Sequence, residues 1–337
     1  MTGLATVLTA VIAFVVTAAS GKILVPYLKR LKYGQTIKDI GPKWHKNKQG
    51  TPTMGGIMFI VGILAASIIG FSVCVAVEGN GVDPYQSAKL FAGMAMAFGF
   101  GLLGYVDDYI KIVKKRNLGL RAAQKLIIQI LIAILYLYAL SVTGCISTIV
   151  EIPFVGQMQL GFFYYPLMVF IIVGTTNAVN LTDGVDGLAA SVTFVAALGF
   201  TVFANLLQDS YIAILAIAAA GGCLGFLLWN FHPAKVFMGD TGSMFLGGIV
   251  CALAFGMDMP LLLILVGFVY FVEALSVILQ VISFQTTGKR LFKMSPIHHH
   301  FELCGWSEMK IVAVFSIVTA VMCLVAYGAV AALTTMW

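Results

Sequence analysis

The chain of 337 residues is 60% hydrophobic and 10% charged, with a mean hydropathy of +0.99. Soluble domains carry about a quarter charged residues, so a soluble globular protein is excluded and an all-α polytopic membrane protein is indicated, treated as one domain over 1–337. The net charge of +6 requires no nucleic-acid partner, because it comes from basic residues gathered on one side of the spans.

Apolar stretches of the order of 20 residues, enough to cross a bilayer, fall at about 4–28, 54–77, 88–107, 122–142, 163–182, 188–207, 211–231, 243–258, 260–282 and 309–333. The first lysine, Lys22, follows the first apolar run. No basic region therefore precedes a cleavable leader, and the run is expected to remain as a helix. After it comes HKNKQGTPTMGG, 45–56. Lys46, Lys48, Thr51, Thr53 and the glycines offer an anion cations, hydroxyls and backbone N–H groups. The spacing G-x-x-x-x-G-K-[ST] is absent, so no ATP site follows. GNGVDP at 79–84 marks the next turn.

The third span closes on Asp107 and Asp108, with Lys111 one helical turn on and Lys115 four residues further. Lys111 is i+4 and i+3 from the two aspartates and shares their helix face. Carboxylates at a hydrocarbon boundary are costly. An interfacial Asp–Lys pair with snorkelling lysines accounts for the pattern plainly. The alternative is Mg²⁺, which binds through one or two carboxylates plus substrate phosphates. Between the fourth and fifth spans, CISTIVEIPFVGQMQLG (145–161) has the Ile/Val/Phe content and the Pro153 and Gly156 of a small hairpin.

NAVNLTDGVDGL, 177–188, spaces Asn180, Asp183 and Asp186 three apart around two Asp-Gly pairs. If helical, the three stack on one face; the plain reading is an Asp-Gly turn. Asn180-Leu-Thr182 matches a glycosylation sequon by chance, at the wrong end of a span. WNFHPAKVFMGDTGS, 229–243, places Asp240 between glycines just before the eighth span, where it is expected as a helix cap. Phe237 in that polar loop is an aromatic available to stack on a base. Glu273 is the one strong ionisable candidate inside a span. MSPIHHHFELCGW, 294–306, holds three consecutive histidines. Neighbours on a helix point about 100° apart and do not converge on one ion, and zinc spacings are absent. Imidazoles beside a phosphate site fit better. The cysteines (Cys74, Cys145, Cys223, Cys251, Cys304, Cys323) show no CxxC pattern and read as small core residues.

Segments 22–48, 111–125, 235 and 289–310 hold nineteen of the twenty Lys/Arg; Lys89 alone lies on the other face. By the positive-inside rule the basic face is cytoplasmic, and an even span count puts both termini outside. All five histidines (His45, His232, His298, His299, His300) and Asp107, Asp108, Asp183, Asp186 and Asp240 map to the same face. Together these segments read as an Mg²⁺-assisted phosphoryl-transfer site opening to the cytoplasm and abutting lipid.

GTPTMGG (50–56), DDYIK (107–111), NLTDGVDGL (180–188) and FMGDTGS (237–243) resemble the polyprenyl-phosphate N-acetylhexosamine-1-phosphate transferases. MSPIHHHFE (294–302) is similar to their muramoyl-pentapeptide branch rather than the N-acetylglucosamine branch. Tyr105 and Val185 stand where Phe and Leu are more usual. The resemblance implies transfer of phospho-MurNAc-pentapeptide from UDP-MurNAc-pentapeptide to undecaprenyl phosphate, with Mg²⁺, at the cytoplasmic membrane. It implies Asp240 as principal metal ligand and Asp107 and Asp108 at the metal and lipid phosphate. His298, Lys111 and Lys115 would meet the diphosphate. Lys48, Asp186 and Phe237 would hold the uracil. Thr53, Asn180, Asp183 and Asn230 would line the remaining cleft, with His299 and His300 beside the substrate. A homodimer is the candidate assembly. Direct attack by the lipid phosphate, with Asp107 as base, and a covalent phospho-sugar intermediate both stay open. The rival of a different class is a transporter or flippase coupled through Glu273.

Overall fold

The computed structural model describes residues 3–31, 48, 50–78, 81–113, 119–152 and 155–334. Their helices, in chain order, are α1 (Gly3–Arg30), α2 (Gly56–Glu78), α3 (Pro84–Val113), α4 (Ala122–Val142), α5 (Tyr164–Thr182), α6 (Leu188–Leu206) and α7 (Ser210–Asn230). They continue with α8 (Gly239–Gly256), α9 (Leu262–Val266), α10 (Phe268–Thr287), α11 (Ile297–Leu303) and α12 (Glu308–Thr334). Ten of these, all but α9 and α11, are long and apolar enough to cross a membrane. Apolar runs of this length take helical form because hydrocarbon offers backbone N–H and C=O groups no other partner. The expected hairpin forms as β1 (Ile149–Ile152) against β2 (Gly156–Gln159), antiparallel, with Ile149 opposite Gln159.

Three boundaries differ from the sequence expectation. Helix α3 continues to Val113, so Asp107 and Asp108 lie inside it and are buried. Helix α8 begins at Gly239, not 243; Met238 occupies the cap position and Asp240 sits in the first turn without capping. Its carboxylate instead reaches two lysines, Lys111 and Lys125. The ninth span is divided at Gly267 into α9 and α10. A Cβ at Gly267 would stand 2.5 Å from the Leu263 carbonyl oxygen.

Helix α8 runs through the middle of the bundle with almost all its residues buried. Small residues let its backbone approach its neighbours closely, as helix pairs in membranes do where hydrophobicity alone gives no association. A Cβ on Gly248 would reach 2.7 Å from Ala97 Cα of α3, and one on Gly247 2.7 Å from Thr176 Cα of α5. At the end of the same seam, a Cβ on Gly104 would fall 2.1 Å from the carbonyl oxygen of Asp240. The seam therefore brings the first turn of α8 against the carboxylates of α3. Outer helices carry the exposed apolar surface, including Leu135 and Tyr138 of α4 and Phe271 and Ile278 of α10.

Candidate active site

Oxygens of Asp107, Asp108 and Asp240 come within 4.8 Å of one another. Lys111 Nζ reaches Asp107 Oδ2 at 2.7 Å, Asp240 Oδ2 at 2.9 Å and Asp108 Oδ1 at 3.7 Å. The i+3/i+4 spacing on α3 fixes the contacts to its own helix, and the α3–α8 seam supplies the third. Lys125, in the first turn of α4, adds a second cation at 2.8 Å from Asp240 Oδ2. Asn180 Nδ2, near the end of α5, donates to Asp240 Oδ1 at 2.9 Å and to Ser243 Oγ at 2.7 Å.

Each aspartate of α3 is also held in place. The Leu120 backbone N–H donates to Asp107 Oδ1 at 2.8 Å. Both the N–H and the hydroxyl of Thr241 donate to Asp108 Oδ2, at 2.9 and 2.7 Å. Gly239 adopts φ +69, and a Cβ there would lie 2.5 Å from Asp108 Oδ2 and 2.7 Å from Thr53 Oγ1. Only glycine combines that left-handed backbone with so close an approach. Three backbone bonds lace the preceding loop to the start of α2: Phe237 N–H to Pro52 O, Gly55 N–H to Phe237 O and Gly56 N–H to Met238 O, at 2.8, 2.8 and 3.0 Å. They place Phe237 and Thr53, each half-buried, beside the carboxylates.

A second cluster surrounds Lys48. Its Nζ bonds Asp186 Oδ1 and Glu308 Oε2, both at 2.7 Å. Asp186 Oδ2 accepts from the Ala234 N–H at 2.9 Å and faces His232 Nδ1 at 3.2 Å. Helix α5 ends at Thr182, so Asp183 and Asp186 lie in the following turn rather than stacked with Asn180 on one helix face. Burial, reinforced by Asp240, Asp108 and Asp186, pushes the Asp183 carboxyl up to about 8. Asp183 is thus electrostatically tied to both clusters. Asn230 is buried and acts as a brace: its Oδ1 accepts from Gly187 N–H at 3.1 Å, and its Nδ2 donates to Val236 O at 2.9 Å.

The three histidines of α11 diverge as their adjacency requires. His298 is completely buried, with Nδ1 3.0 Å from Glu273 Oε2 of α10. His299 Nδ1 faces Glu302 Oε2 at 2.6 Å. His300 Nδ1 accepts from the Lys293 N–H at 3.1 Å, which ties it to its own loop. Lys115, His45 and Lys46 lie outside the described residues.

Sequence reasoning missed Lys125, Thr241, Ser243, His232 and Glu308. Lys125 carried a signal: a cation in the first turn of an apolar helix, at the same boundary as the aspartates. His232 was placed on the right face but not at Asp186, 46 residues away, and Glu308 carried no signal, since 122 residues separate it from Asp186.

A multi-span helical bundle with carboxylates and lysines converging at one end is the arrangement expected of a membrane-embedded transferase for phosphorylated substrates. Consistent with that class, the model of Glycosyl transferase family 4 matches residues 90–258, and Phospho-N-acetylmuramoyl-pentapeptide-transferase signature 1 matches residues 48–60. The phospho-N-acetylmuramoyl-pentapeptide-transferases of Bacillus thuringiensis (strain Al Hakam) and Bacillus cereus (strain AH187) are each 46% identical over 308 residues, 91% of this chain and 92% of theirs. The chain belongs to the phospho-N-acetylmuramoyl-pentapeptide-transferase family.

Proposed function

We propose that this protein transfers phospho-MurNAc-pentapeptide from UDP-MurNAc-pentapeptide to undecaprenyl phosphate, releasing UMP and forming lipid I for peptidoglycan synthesis. The observation that carries the reading is the trio Asp107, Asp108 and Asp240, gathered within 4.8 Å with Lys111 and Lys125 against them. Three hard oxygen donors on rigid helix ends suit Mg²⁺, which prefers carboxylates completed by waters and phosphates. Bound there, Mg²⁺ would neutralise diphosphate charge and assist departure of UMP.

The chain's own groups do the rest. Lys111 and Lys125 supply positive charge on the phosphate side, joined by Lys115. Thr241 and the Leu120 N–H hold Asp108 and Asp107 at fixed orientation, which spares reorganisation during transfer. Phe237 stacks on the uracil, while Lys48 and Asp186 bind its polar edge. Asn180, Asp183 and Thr53 line the sugar-phosphate path, with His298, His299 and His300 on the α11 side. Asp107 and Asp108 lie at the hydrocarbon boundary because one substrate is a lipid whose phosphate rests at that depth. The basic face, with nineteen of twenty Lys/Arg, supports a cytoplasmic site in the bacterial cytoplasmic membrane.

UMP release by the purified protein tests this, with undecaprenyl phosphate, Mg²⁺ and either UDP-MurNAc-pentapeptide or UDP-N-acetylglucosamine. Release with the first donor alone is expected. Release with the second alone would move the protein to the other branch of the fold, and release with neither would overturn the reading.

A further inference from the structure

Glu273 lies within α10 and has no part in the carboxylate–lysine centre. It is wholly buried in α10, and so is His298 in α11. Glu273 Oε2 stands 3.0 Å from His298 Nδ1. Each side chain keeps one buried polar atom without a protein partner, Glu273 Oε1 and His298 Nε2. Buried polar atoms are almost always satisfied, so such an orphan asks for a partner that arrives from elsewhere.

The direction of the imidazole is set by what it packs on. A Cβ at Gly184 would fall 2.2 Å from Nε2 and 2.7 Å from Cε1. Nε2 therefore sits over a residue with no side chain, in the turn between Asp183 and Asp186. The His299 ring, with centroids 4.1 Å apart and planes at 62°, closes another side. The ring is confined, and Nε2 is its one polar atom left to meet a ligand.

A carboxylate behind a histidine fixes which nitrogen carries the proton and how the ring is turned, as in metal sites and hydrolase triads. We propose that Glu273 is a positioning residue for the transfer reaction: its carboxylate holds the Nδ1–H of His298 and stabilises the imidazolium, whose Nε2–H then donates to the substrate's phosphate oxygens at the Asp183–Asp186 turn. The inference rests on the transferase reading above for its substrate. Its pairing geometry does not depend on that reading.

Glu273→Gln keeps the side-chain shape and removes the charge. We expect kcat to fall at least about tenfold, the scale on which loss of a histidine-orienting group is felt, with KM for the nucleotide donor nearly unchanged. In a His298→Asn background the same substitution should cause no further loss, because partners in one unit are non-additive. Losses that multiply between the two positions would overturn the proposal, as would a normal kcat in folded Glu273→Gln. Where Glu273→Gln does not fold, Glu273→Asp is run through the same cycle with the same criteria. A readout free of turnover separates failure of this inference from failure of the transferase reading: ¹⁵N spectra of histidine-labelled protein, with the His298 signals assigned by their absence in His298→Asn. A protonated Nδ1 that shifts in Glu273→Gln supports the pairing; an unprotonated Nδ1 in the parent protein overturns it.

Discussion

Asp240 accepts from Lys111, Lys125 and Asn180, so both its oxygens have partners that a neutral amide in its place would not hold alike. Removing an outer partner of a metal site costs about 10–100-fold in activity, and a direct ligand should cost more than about 100-fold. Asp240→Asn is accordingly expected to abolish turnover while leaving a folded protein, assayed as UMP release beside thermal unfolding. Activity retained by the variant, with an unchanged Mg²⁺ dependence, would remove Asp240 from the ligand set. Asp183 offers a second test at this scale. Its pKa of about 8 comes first from burial and then from Asp240, Asp108 and Asp186, so at neutral pH the carboxyl is protonated in the cation-free protein. An ordinary aspartate titrates near about 3.9, and the folded state therefore binds more protons than the unfolded one between these values. Stability contributed by this group is present at low pH and declines as pH rises through about 8. A divalent cation between the neighbouring carboxylates favours the ionised form and expels the proton. Titrating Mn²⁺ near pH 7 in buffers of different ionisation enthalpy should show proton release, and Asp183→Asn should lack it. Equal release from the variant would assign the proton elsewhere.

At the scale of elements, the site is a consequence of how closely α8 approaches α3. Gly104 permits the Asp240 carbonyl to pass within van der Waals range of the α3 backbone, and Gly239 turns the chain under Asp108. A side chain at Gly104 meets backbone, which cannot step aside, so Gly104→Ala should open the seam and separate Asp240 from Asp107 and Asp108. At Gly239 the left-handed backbone adds about 1–3 kcal/mol of strain to the clash. Both variants are expected to lower the unfolding temperature and to lose activity by far more than Gly99→Ala. A Cβ at Gly99 meets only Ile132 at ordinary contact distances of 3.5–3.7 Å. Activity retained by Gly104→Ala would mean the seam does not set the carboxylate spacing. The same elements show what the sequence disclosed. Seven of the ten spans stood within two residues of their helices because hydrocarbon leaves an apolar run little choice. The carboxylate–lysine stripe on α3 followed from helical spacing alone. The break at Gly267, the first turn of α8 and the Glu308–Asp186 contact did not, because each depends on backbone from elsewhere in the chain. Asn230 was polar at the right boundary, and the bonds it makes to Gly187 and Val236 were beyond reach, because a sequence shows the amide and not its partner.

Across the whole molecule, the bonds of the site join ends that alternate along the chain: the starts of α2, α4, α8 and α12 with the last turns of α3 and α5 and the turn before α6. An up-and-down bundle brings just these ends to one side. Among the described residues, every Lys/Arg but Lys89 belongs to segments on that side, and Lys89 is paired with Asp258 at 2.5 Å. By the positive-inside rule we propose that the site's end is cytoplasmic and both termini external. Native cysteines can test this without adding probes. None of the six is bridged, and five are buried; Cys304, just after α11, is exposed at the site's end of the bundle. A membrane-impermeant maleimide should therefore modify the protein in inverted membrane vesicles and leave it unmodified in intact right-side-out spheroplasts. Cys304→Ser should lose the label in both preparations. Labelling from the outside of spheroplasts, abolished by Cys304→Ser, would reverse the orientation and with it the face from which the nucleotide donor arrives.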